Sequence, residues 1–186
     1  MKIVSSWQGR SLSPGCFRVR RVTDERANLL RYLGQQRGHI LGALEGLDEE
    51  TLRRPILPSG WNCLALVSHL TYDDERFWFR GVIGHDQEVI DAVKRREPGG
   101  WKADADLPAE EVFARYRAEA ALADAVLDEC DLDAAPTWWP EYVFGTWRLD
   151  SVRQIVLHHI TETATHAGQL DVVRELIDGT QWVIQD

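Results

Sequence analysis

The chain has 186 residues, three cysteines and a formal net charge of −9. That length buries a sizeable core without cross-links, and the odd, scattered Cys16, Cys63 and Cys130 form no C-x-x-C pair, so neither a disulfide framework nor a cysteine zinc site is indicated. The acidity argues against a nucleic-acid surface, and no apolar run reaches the roughly 20 residues that cross a bilayer, so a cytoplasmic protein without a membrane partner is expected.

Residues 1–22 hold no Asp or Glu but carry Lys2, Arg10, Arg18, Arg20 and Arg21, and SSWQGRSLSPGC is turn-rich and aperiodic. We read this stretch as a disordered extension or a start codon placed too early, with the fold spanning residues 23–186. Thr23 or Asp24 then caps a first helix over about 24–46, whose apolar positions Leu30, Leu33, Ile40, Leu44 and Leu47 recur in steps of three and four. Pro55, Pro58, Ser59 and Gly60 break the chain. Asn62 or Ser59 caps a second helix that runs through Leu66, Leu70, Phe77 and Trp78 to about Ile83.

From Gly84 to Leu107 the mixed charge and the Pro98-Gly99-Gly100 turn read as a long surface connection. A third helix follows, with Asp106 as cap, Pro108 in the first turn, and a stripe of Phe113, Tyr116, Ala120, Ala123, Leu127 and Cys130. The aromatic segment 131–149, with two prolines, suits an ordered loop packed on the helices. Near Asp150 a fourth helix starts, buries Val152, Ile155, Val156, Ile160, Leu170, Val173 and Leu176, and stops at Gly179. Four amphipathic helices and no alternating strand pattern imply an all-α four-helix bundle with long connections.

Helix four contains HHITETATH, in which His158, Glu162 and His166 lie four residues apart and share one face at the edge of the core stripe. A buried carboxylate between imidazoles is costly unless it is paired or bound to a cation. On the second helix, His69 in LVSHLTYDDERFW is the obvious third ligand, since bundle cores take metals from inward-pointing side chains on facing helices. Residue spacing leaves two readings open: a divalent metal site, or core-edge histidines satisfied by Glu162 and other polar groups. It also does not choose between His158 and His166. Asp73, four residues after His69, either orients that imidazole or belongs to a solvated acidic face, DDER, which is the reading we prefer from sequence. His159 points about 100° from His158 and reads as packing or surface. Cys63 reads as a small buried filler. His39 and His85 show no partners. Trp138, Trp139, Tyr142, Phe144 and Trp147 line the mouth of the metal pocket or form a lid over helix ends.

SHLTYDDERFW, LHHITETATHAGQLDVVRELIDG and LPSGWN together resemble the DinB-like superfamily over residues 24–182, especially its actinobacterial branch. The resemblance implies a DinB-like four-helix bundle that forms homodimers, with one metal bound by a His of the second helix and two residues four apart on the fourth. Carried over, it makes His69, Glu162 and His166 the ligands of a divalent ion, zinc first and nickel or another ion as the alternative, in a set similar to that of mycothiol-dependent maleylpyruvate isomerase. His158 becomes a pocket residue and the only candidate for a catalytic base.

Three protein ligands leave zinc an open position, as catalytic sites do. In these relatives that position is associated with low-molecular-weight thiols. The implied function is a metal-dependent thiol S-transferase or isomerase of the mycothiol type, with a small-molecule thiol and an electrophile as partners. A metal-dependent hydrolase, in which the open position activates water, and a noncatalytic metal-binding stress or interaction protein are the competing expectations.

Overall fold

The computed structural model describes residues 24–97, 99–102 and 104–182. The basic segment 1–22, Cys16 and Pro98 of the expected turn lie outside these residues. Among those described, the chain is helical and contains no strand: α1 (Glu25–Ala43), α2 (Glu49–Arg53), α3 (Cys63–His69) running straight into a π-helix (Leu70–Ile83), α4 (Gln87–Lys94), a 3-10 turn (Gly100–Lys102), α5 (Ala109–Glu129), α6 (Glu141–Phe144) and α7 (Val152–Asp178). The all-α expectation holds. None of these helices is long and apolar enough to cross a membrane.

Local chemistry explains most of the boundaries. Asp24, Asn62 and Ser151 each accept a backbone N–H of the first turn of α1, α3 and α7, satisfying donors that a helix start otherwise leaves free. Gly179 closes α7 at φ 79°, the left-handed region that favours glycine. The start of α5 differs from expectation: Pro108, not Asp106, occupies the cap position, and no side chain caps the helix. Glu110 and Glu111 place negative charge on its first turn instead.

Four long helical stretches carry the core. α1 packs along α7, and α5 packs along the π-helix, which also meets α7. Their apolar faces form two clusters. One gathers Ile40, Leu66, Val67, Leu70, Tyr116 and Leu170; the other gathers Leu33, Phe79, Val82, Leu127, Ile155 and Val156. Between them lies a polar layer with a residue from three of the four stretches: Arg37 of α1, Asp74 and Glu75 of the π-helix, and His159 and Thr163 of α7, all buried.

Two stretches depart from the sequence reading. Residues 84–107 are more than a surface connection, because Val89 and Ile90 of α4 are buried and Asp104 is only 3 % exposed. Asp104 accepts hydrogen bonds from Ser68, Tyr72 and Arg115, which staples the segment to α3 and α5. At the end of α7 the stripe also shifts, as Leu176 is exposed while His159, Thr163 and Ala167 are buried. The aromatic segment packs as expected and includes the single turn α6, whose Phe144 stacks on Trp78 at 5.5 Å.

Candidate metal centre and its cavity

His69 ends α3 where the helix widens, and its ring is fixed from two sides. Its Nδ1 donates to Asp73 Oδ2 at 2.8 Å, and the same oxygen accepts the backbone N–H of Gly100 at 2.9 Å. Trp101 stacks on the imidazole at 4.5 Å between centroids, nearly parallel. Asp73 therefore orients His69, and the solvated-face reading of DDER is corrected: Asp74 and Glu75 are buried as well. With Nδ1 engaged as donor, Nε2 is the nitrogen left to bind a cation.

Gly100 is what allows this docking. A Cβ at that position would lie 2.5 Å from the Ser68 carbonyl oxygen and 2.6 Å from the His69 Cα, so no side chain fits. Gly100→Ala is expected to push the segment off α3, destabilise the fold by about 1–3 kcal/mol as overpacking does, and weaken metal binding by freeing His69. Urea denaturation and metal titration of the same variant check both effects. An alanine variant with unchanged midpoint and affinity would contradict this account of the docking.

α7 supplies the facing side. His166 meets His69 edge to face with centroids 5.1 Å apart, and its Nδ1 pairs with Gln169 Oε1 at 2.9 Å, again leaving Nε2 free. The third member of the group is Asp74: one donor atom from each of His69, Asp74 and His166 lies within 4.8 Å of the others. Glu162, one turn before His166, lines the adjoining cavity of about 400 Å³ together with His69, Asp74, His158, Trp78 and Phe144. So the structure brings His69 and His166 together, sets Glu162 at the same cavity, and adds a carboxylate not expected from sequence. His158 is partly buried at the cavity wall, with its ring edge-on to Trp78 and Trp147.

Asp74 became a partner of His69 through the winding of the helix. In an α-helix the residue five positions on points well away from the first, but in a helix bonded i to i+5 it stands about one turn above it. Asp74 accordingly comes within 3.8 Å of His69 Nε2. Burial pushes the Asp74 carboxyl up, against the pull of His159, His69 and His166, and Glu162 adds to the rise. Its Oδ2 is buried with no hydrogen-bond donor. A carboxylate so placed is costly until a cation meets it, and two imidazoles beside carboxylates are a donor set suited to zinc and neighbouring first-row ions. These residues fit a divalent metal.

Behind Asp74 lies a polar layer whose Arg37, Glu75 and His159 are buried. Arg37 donates to both carboxylate oxygens of Glu75 at 2.6 and 2.7 Å and to Asp124 at 2.6 Å. His159, with no exposed surface, places Nε2 3.2 Å from Glu75 and Nδ1 3.9 Å from Asp74. Burial alone would raise the Glu75 carboxyl, but His159 and the Arg37 guanidinium outweigh it and hold the group at about 2. His159 is therefore part of the layer against which Asp74 rests. The signal for it was the step of four running Ile155, His159, Thr163, Ala167 inside the core stripe.

Other histidines and the cysteine take structural places. His39 pairs with Asp171 at 2.7 Å and stacks on Trp182, partners that only folding brings near. Cys63 is a core filler, and burial pushes its thiol up to about 11, so it is a poor nucleophile and a poor ligand.

The family model described as Mycothiol-S-transferase matches residues 28–179, most of the chain, and the chain belongs to that family. This agrees with the DinB-like resemblance of its motifs. No curated protein matches the sequence.

Proposed function

We propose, from its place in the mycothiol-S-transferase family, that this chain is a metal-dependent enzyme that transfers a low-molecular-weight thiol to an electrophile. The observation that supports this most is the convergence of His69, Asp74 and His166, the first two of which line a cavity that Glu162 also faces. His69, Asp74 and His166 would hold the ion, zinc first, with Glu162 of the adjoining cavity as a further carboxylate within reach. When bound, such an ion deprotonates a coordinating thiol at neutral pH.

The chain's own residues do the rest. Asp73 and Gln169 fix the two imidazoles, so little reorganisation is needed when ligands arrive. Glu162, at the cavity wall, would take the thiol proton before it passes to solvent. Trp78, Phe144 and His158 give the cavity an aromatic wall against which an apolar electrophile can rest beside the sulfur. A water-activating role fits less well, because the His158 ring packs against Trp78 and Trp147 and no described hydrogen bond orients it as a base.

The test is turnover. Zinc-loaded protein given mycothiol and a small electrophile should form the S-conjugate, read by mass spectrometry, faster than the spontaneous reaction. Chelation, His69→Ala and His166→Ala should each return the rate to the spontaneous one. A metal-loaded wild-type protein that adds nothing to that rate, whatever the electrophile, would contradict the proposal.

A further inference from the structure

A second cavity, of about 380 Å³, opens beside the first and shares Asp73, Phe77, Val93 and Glu97 with it as a common wall. Neither His69 nor His166 lines it; its walls come from the π-helix, α4, α5 and the residues Gly99, Lys102 and Asp104. Its charged lining is of balanced sign, with Asp73, Glu97 and Asp104 against Arg76, Lys102 and Arg115, and apolar side chains make up the rest of the wall. A phosphate would meet three carboxylates there and a polyamine three cations, so neither type of ion is favoured. A neutral group that both donates and accepts many hydrogen bonds is favoured.

Several of these groups have bonding capacity to spare. Arg76 Nε is buried with no acceptor, and a donor left so is costly unless a ligand or water meets it. Among the described residues Lys102 has no ion pair, and Glu97 has only the exposed Arg95. Tyr72 and Arg115, by contrast, are locked to Asp104 at 3.1 Å, which makes that side of the cavity rigid. Val89, Ala92 and Val93 supply an apolar strip against which the C–H face of a saturated ring can lie.

We propose that this second cavity is the seat of the polyhydroxylated headgroup of the thiol substrate. The inference rests on the thiol-transferase reading and deepens it: sulfur at His69 and His166, sugar between Arg76 and Lys102. Mycothiol has this bipartite build, a cysteine thiol joined through an amide to an aminosugar–inositol unit. A headgroup anchored to one side leaves the aromatic wall of the first cavity to the electrophile. Discrimination among thiols then resides in the second cavity, because the site around the ion sees only sulfur.

Calorimetry on zinc-loaded protein tests this with two probes: the N-acetylglucosaminyl-inositol unit lacking its cysteine, and N-acetylcysteine, which has the thiol and no sugar. The wild-type protein should bind the sugar unit at millimolar concentration, and should bind mycothiol at least about tenfold more tightly than N-acetylcysteine. In Arg76→Gln/Lys102→Ala, with folding checked by circular dichroism, the sugar unit should no longer bind and the ratio of the two thiol affinities should fall toward one. Failure of the wild-type protein to bind the sugar unit, or an unchanged ratio in the variant, would overturn the proposal. The sugar probe has no sulfur, so its binding stands or falls independently of whether the thiol reading is right.

Discussion

Replacing either His69 or His166 with alanine is expected to abolish stoichiometric binding of a divalent metal, whereas His158→Ala should weaken it by no more than about 10–100-fold, as loss of a supporting residue does. The first two rings meet edge to face with centroids 5.1 Å apart and their Nδ1 atoms engaged by Asp73 and Gln169. His158 lies farther along the same cavity against Trp78 and Trp147. Removing one imidazole leaves Asp74 buried and facing a broken donor set. Titration of metal-free variants with zinc, read by competition with a chromophoric chelator, measures the effect. Metal loss in His158→Ala together with retention in His166→Ala would reverse the assignment. Glu162→Gln and Asp74→Asn complete the series, and each should lower affinity because each removes a carboxylate at the cavity.

The second large effect is on stability. Arg37→Met should destabilise the protein by about 3–5 kcal/mol, the cost of leaving one member of a buried ion pair without its partner. In a domain of this size that lowers the melting temperature by about 10 °C. Glu75 is 1 % exposed, loses two hydrogen bonds in this variant, and sits beside a second buried carboxylate, Asp74. The double variant Arg37→Met/Glu75→Met should recover at least half of the loss, since an apolar pair of similar volume removes the stranded charge. A single variant that melts within 2 °C of wild type would show that the layer does not stabilise the fold as argued.

Much of this molecule was legible in its sequence, and the parts that were not share a cause. Asn62 and Gly179 announced helix ends because capping is a local event, decided by residues two or three apart, and the start expected near Asp150 lies one residue from the Ser151 cap. The choice of His166 over His158 came from the family resemblance, whereas His69 could be proposed as a ligand from its position within an apolar stripe. Asp74 could not, because a reading at 100° per residue turns it away from His69, and only the widened winding of Leu70–Ile83 brings it back. Arg37 sat unnoticed between Leu33 and Ile40 in the stripe of α1, where a charge is the last residue expected. Its partners Glu75 and Asp124 are 38 and 87 residues away, so no local pattern signals the pairing. Gly100 and Asp104 likewise looked like loop residues. Their role depends on a docking onto α3 that exists only in three dimensions.

The proposed chemistry requires a small thiol to reach a metal held by His69, Asp74 and His166. Cobalt makes that directly visible. In cobalt-substituted protein, adding mycothiol should produce a sulfur-to-metal charge-transfer band that saturates with thiol, accompanied by proton release. Cys63→Ser should keep the band, since the sulfur comes from the added ligand and Cys63 lies in the core. Cobalt bound at this site with no band and no heat of binding at millimolar mycothiol would contradict the account.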